Sequence, residues 1–177
     1  MQVHIDLSDV ELMSRALAAA PEVVIDELTT TMESVTAYLQ RESAENTPTA
    51  AGTLRSAWLA RVDAITALDA VFGSVSNPLP YALPVELGTK PHYPPLDPLI
   101  NWVEQKLNLY GDEAETAARG IQRKIGRYGS IGHGMAHFAL ADGRPTIEVE
   151  FHECAQRIKA RLVAMGGGAS GGAGVPA

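Results

Sequence analysis

Ala70-Val71-Phe72-Gly73-Ser74-Val75 is the stretch on which the fold class turns, because its alternation is that of a half-buried β-strand. Most other periodic segments of this 177-residue chain read as helix. The expectation is therefore an α+β fold: a small antiparallel β-sheet packed against a long N-terminal helix, with additional helices in the C-terminal half. Asn77-Pro78-Leu79-Pro80 closes the strand, since proline has no N–H for the ladder and restricts the residue before it. Upstream, Leu54 to Val62 reads as a helical turn passing into a strand, with Asp63 to Asp69 as the hairpin connection.

Further out, Val3 and Ile5 alternate with polar neighbours in a short strand pattern, and Ser8 caps a helix over about Asp9–Ala19. Pro21 suits the first turn of a second helix reaching about Glu45, in which Val24, Ile25, Leu28, Met32, Val35 and Leu39 recur every three or four residues. Thr29-Thr30-Thr31 forms helix poorly, so burial must hold that segment. Asn46 to Thr53, with Pro48 and Gly52, reads as an exposed loop.

Tyr81 to Leu87 fits a short helix with Tyr81, Val85 and Leu87 inward, and Gly88 stands where a helix end favours a left-handed residue. Pro91, Pro94, Pro95 and Pro98 stiffen the next loop. Asp97 caps a helix through Leu107 whose buried face is Leu99, Trp102, Val103 and Leu107. Another helix starts near Asp112, with an acidic first turn and a basic end that suit its dipole, and stops at Gly129. Ser130 to Gly134 reads as flexible, Met135 to Leu140 as one or two helical turns, and Gly143 as a break. After Pro145 the helical spacing of Ile147, Phe151, Cys154, Ile158, Leu162 and Met165 outweighs a shorter strand-like pattern. Residues 1–165 are expected to form one domain, and 166–177 a flexible Gly/Ala-rich tail.

Composition narrows the function. Hydrophobic residues at 46% support a core without metal or disulfides, and Cys154 is the single cysteine, as suits a reducing cytosol. No basic leader or stretch of about 20 apolar residues occurs, so the chain is expected to be soluble, with no membrane association. A net charge of −7 opposes nucleic-acid binding, in which Lys and Arg neutralise phosphates, yet suits a conduit through which DNA passes without sticking.

Few residues suggest chemistry. His133 and His137, four apart, would share a helix face as metal ligands do, but no local partner completes the set, and His152 and Cys154 point elsewhere. Cys154, spaced with Phe151 and Ile158, reads as core rather than nucleophile. Glu86 has no second carboxylate at a fixed spacing. It reads as a structural acceptor of backbone amides or as a partner of an arginine such as Arg55. Arg119, Arg123 and Arg127 lie on one helix face with Lys124 nearby, a DNA-facing or partner-facing basic patch, or a solvated face balanced by Asp112, Glu113 and Glu115. No catalytic, cofactor or metal residues are assigned, and no enzymatic activity is expected.

Two segments carry a resemblance: Thr47-Pro48-Thr49-Ala50-Ala51-Gly52-Thr53-Leu54-Arg55-Ser56 and Tyr81-Ala82-Leu83-Pro84-Val85-Glu86-Leu87-Gly88-Thr89. The chain resembles a tailed-phage family of neck and tail-completion components, in which a TG-L-R-S segment precedes a YA-x-x-V-E-x-GT segment. Pro94 to Lys106, containing Trp102, extends the likeness, while Leu83-Pro84 departs from the usual pattern. The resemblance implies a structural virion protein, assembled in the host cytoplasm, forming a homo-oligomeric ring, often sixfold, between connector and tail tube. Gly52, Leu54, Arg55, Ser56, Tyr81, Glu86, Gly88, Thr89, Pro94 and Trp102 would then serve as structural motif and interface, with no cofactor. Alternatives are a tail terminator capping the tube, a small metal-dependent hydrolase using His133, His137 and Glu86, and a nucleic-acid-binding module using Arg119, Arg123 and Arg127.

Overall fold

The computed structural model describes residues 8–49, 52–65 and 70–166. The expected strand around Val3 and Ile5, the turn at 66–69 and the tail from 167 onward lie outside these residues. The fold is α+β. Its elements are α1 (Ser8–Glu45), α2 (Thr53–Ser56), β1 (Leu59–Ile65), β2 (Ala70–Ser76), α3 (Ala82–Leu87), β3 (Gly88–Thr89), α4 (Leu96–Leu107), α5 (Asp112–Tyr128), β4 (Ser130–Ile131) and α6 (Met135–Gly166). β1 pairs with β2, and β3 with β4. With only positions 66–69 between β1 and β2 the pairing is antiparallel, since a parallel crossover needs about a dozen residues or more. No helix among the described residues is long and apolar enough to cross a membrane.

Internal packing divides the chain into two units. Unit 1 comprises Met1–Ala37, Arg61–Ser74 and Arg144–Ala177. Unit 2 comprises Tyr38–Ala60 and Val75–Gly143. In unit 1, β2 lies against α1 so closely that a Cβ on Gly73 would come within 2.5 Å of the Met32 sulfur and 2.6 Å of the Thr36 methyl. Glycine at 73 is what lets the strand approach the helix. Val35 and Cys154 are buried, as expected of core positions, and so is Val23, which lies outside the expected stripe.

Polar groups also hold unit 1. The Thr29 and Thr30 hydroxyls donate back to the carbonyls of Ile25 and Asp26 at 2.7 and 3.1 Å, so two poor helix formers satisfy themselves locally. Thr31 is buried, and its hydroxyl accepts from Arg157 Nη2 at 2.8 Å. Arg157 Nε donates to Glu27 at 2.8 Å, and Arg161 to Glu27 at 3.0 Å and to Asp26. These two guanidiniums hold the Glu27 carboxyl below its ordinary pKa. Sequence reasoning missed the cluster because its members stand more than 120 positions apart.

Unit 2 has two apolar centres. One gathers Leu54, Trp58, Ala82 and Met135, with Ala44, Val75, Leu79, Val85 and Ala136 packed around them. Full burial of a side chain the size of Met135 contributes about 1.5–3 kcal/mol. The other joins Val103 of α4 to Ala114 and Ala118 of α5, where small residues four apart let the helices approach.

Several expectations are corrected. α1 runs unbroken through Pro21, and α6 through Gly143 and Pro145, where two pairs of helices were expected. Proline costs a helix one internal hydrogen bond, a local loss of a few kcal/mol that tertiary packing of a long helix can outweigh. At Gly143 the Tyr38 ring occupies the place of a side chain: a Cβ there would lie 2.7 Å from its Cε1. Trp102 and Leu107 are exposed rather than buried, because α4 offers α5 only the narrower stripe of Leu96, Leu99, Ile100 and Val103. Pro95, not Asp97, occupies the N-cap of α4. The 46–53 segment is not wholly exposed. Thr47 is buried, donating to the Ser43 carbonyl at 2.6 Å and accepting from Trp58 Nε1 at 2.8 Å.

Candidate functional site

The two sequence segments that carry the resemblance meet in one core. Leu54 packs in the same cluster as Ala82 and Val85, and Asn77 Nδ2 donates to the Leu54 carbonyl at 2.8 Å. Gly52 precedes α2 in a left-handed conformation, φ 80°, which glycine adopts without steric cost. Ser56 closes that short helix by donating its hydroxyl to the Thr53 carbonyl at 3.2 Å, and Arg55 is exposed.

The second segment forms a lock between α3 and the start of α6. His133 N–H donates to the Val85 carbonyl at 2.8 Å and Gly134 N–H to the Glu86 carbonyl at 3.0 Å, satisfying two acceptors that the end of α3 would leave open. The Glu86 carboxylate reaches the first turn of α6, where Oε2 accepts from Ala136 N–H at 3.1 Å and Oε1 from His137 N–H at 3.0 Å. A carboxylate at this position satisfies orphan donors and complements the positive helix end. Of the two structural roles foreseen for Glu86, acceptance of backbone amides holds, and Arg55 is not its partner.

The chain then pairs Gly88 with Ile131 and Thr89 with Ser130, antiparallel. Thr89 Oγ1 accepts from Ser130 N–H at 3.2 Å and lies 2.9 Å from Ser130 Oγ. Gly88 has φ 79°, and a Cβ there would strike the backbone of Ser130 and Gly132. Ser130 to Gly134, expected to be flexible, is thus tied down at Ser130, Ile131, His133 and Gly134. No local pattern announced this, because its partners come from 85–89.

Large apolar side chains on the elements of the lock are exposed. Leu83 and Leu87, four apart on α3, are 64% and 71% exposed, and Ile131 is 93% exposed. Tyr81 is also exposed. The inward orientation expected for Tyr81 and Leu87 is therefore corrected. In so short a helix Ala82 and Val85 face the core, which leaves the opposite side to solvent.

The Pro-rich loop lies along α5. Gln122 Nε2 donates to the Pro94 carbonyl at 2.8 Å, and the Tyr93 ring covers Gly126, where a Cβ would come within 2.6 Å of it. On the basic face of α5, Arg119 pairs with Glu115 at 2.6 Å, and Arg123, Lys124 and Arg127 are exposed. Arg127 sits 6.0 Å from the Tyr128 ring centre.

The histidines do not form the expected pair. His133 precedes α6 while His137 lies in its first turn, so they share no helix face, and both are exposed. Cys154 is buried and His152 exposed, and no group of three metal-ligating side chains gathers among the described residues. Comparison of the chain with protein-family models, curated proteins and solved structures finds no match.

Proposed function

We propose that this chain is a structural virion protein of the phage head–tail junction, a neck or tail-completion subunit whose ring joins the connector to the tail tube. The observation that carries the reading is the exposure of three large apolar side chains, Leu83, Leu87 and Ile131, on a backbone that Glu86 and the β3–β4 ladder lock in place. A rigid apolar surface loses little entropy on docking, and exposed clusters of large apolar side chains mark protein-binding faces. Glu86 has both oxygens engaged by backbone amides, which favours a structural role over that of a general base. The test incubates purified protein with isolated tails and with DNA-filled heads, followed by sedimentation of the particles. The wild type is expected to enter particles, and Leu83→Ser with Leu87→Ser to lose that property while keeping its thermal stability. Wild-type protein that binds neither particle would overturn the proposal.

A further inference from the structure

We infer that the cationic end of α5 docks against the acidic unit 1 of a second copy of this chain, a head-to-tail contact. The inference rests on the assembly reading only in taking another copy as the occupant. Charge is divided unevenly along the chain. Unit 1 holds twelve Asp and Glu against six Lys and Arg, whereas unit 2 holds nine against eight, so unit 1 carries −6 of the total −7.

Within nearly neutral unit 2, the second half of α5 concentrates Arg119, Arg123, Lys124 and Arg127 with no acidic residue after Glu115. Glu115 takes Arg119, and Arg123, Lys124 and Arg127 have no carboxylate partner among the described residues. Beside them stand Tyr93 and Tyr128, each 71% exposed. Arginine and tyrosine together are the composition enriched at protein interfaces.

Unit 1 offers the complement on α6. Val149 is exposed, with the exposed Glu153 close to it round the helix and the exposed Glu148 about a quarter-turn away on its other side. Neither carboxylate has a cationic partner among the described residues, unlike Glu27 and Asp26, which Arg157 and Arg161 occupy. An apolar centre flanked by carboxylates thus faces an aromatic and guanidinium surface of opposite sign, the arrangement that steers and registers association. Nucleic acid is the poorer occupant. Three cations neutralise few phosphates, while the charge of −7 repels the rest of the polyanion.

Sedimentation velocity tests the contact at about 0.1 M and about 1 M salt, between which the screening length falls from about 10 to about 3 Å. The wild type is expected to associate at the lower salt and to dissociate at the higher. Arg123→Glu with Arg127→Glu, and Glu148→Arg with Glu153→Arg, are each expected to abolish association. An equal mixture of the two variants should restore it, since each then presents the complement of the other. All four positions are exposed, and matching circular-dichroism melts establish that both variants fold. A wild type that stays monomeric at the lower salt, association retained by either variant alone, or a mixture that stays dissociated overturns the inference. So does duplex DNA that binds the wild type but not the arginine variant. A monomeric wild type that still enters particles would sink this contact and leave the proposed function standing, and self-association without entry into particles would do the reverse.

Discussion

Replacing Glu86 with alanine removes both acceptors from the first turn of α6 while leaving the backbone bonds of His133 and Gly134 intact. Loss of a side-chain cap costs about 0.5–2 kcal/mol, and loss of a negative charge at a helix N-terminus about 0.3–1 kcal/mol more. Glu86 is half-buried, so solvent replaces part of what is lost, and about 2 kcal/mol is the expected destabilisation. For a chain of this length that corresponds to a fall in Tm of about 4–8 °C. Glu86→Gln retains one neutral acceptor but presents an NH2 group to the second amide, so about half the loss should remain. Both tryptophans, Trp58 and Trp102, belong to unit 2, which contains the lock. Their fluorescence during thermal unfolding therefore reports on the affected part of the chain. Arg55→Ala serves as the control and should leave the transition in place. A Glu86→Ala protein melting within about 1 °C of wild type would refute the capping argument, since even a weak cap together with the weakest helix-end charge effect would lower Tm by about 2–3 °C.

Three further outcomes follow from the packing. Gly88→Ala meets both an unfavourable φ and the backbone of Ser130 and Gly132, neither of which can move aside like a side chain, so it should destabilise by about 2 kcal/mol or more in urea unfolding. Thr47→Val keeps the volume but leaves the buried Trp58 indole N–H without its acceptor, for a loss of about 1–3 kcal/mol read by the same transition. Because Arg157 and Arg161 hold the folded-state pKa of Glu27 down, the stabilisation is present above its unfolded value of 4.5 and is lost as pH falls through the lower folded value. Thermal melts followed across that range should show Arg157→Ala with a weaker acid dependence than wild type, and an unchanged dependence would remove Glu27 as its source.

Local signals reached far into this chain. α5 was legible from its acidic start, basic end and terminal Gly129, because dipole complementarity acts within a turn. β2 was legible from period-two alternation, and Gly88 from its place at a helix end. Cys154 was placed in the core by its spacing along the last helix. The structural character of Glu86 followed from its isolation among apolar neighbours with no second carboxylate, but the identity of its partners did not.

Tertiary structure alone decided the rest. Proline and glycine at 21, 143 and 145 are breakers by local propensity, yet α1 and α6 continue through them, because propensity is a matter of a few kcal/mol that packing outside the local window can outweigh. Which apolar residues stay outside was equally invisible, since Leu87 and Trp102 fit the helical spacing as well as the residues that are buried. The ties of Glu86 to Ala136 and His137, and of Arg157 to Glu27 and Thr31, join positions 50 to 130 apart. Spacing in sequence reports only the faces of single elements; which faces and which donors meet is set when distant segments exclude water together, and that information exists only in the folded chain.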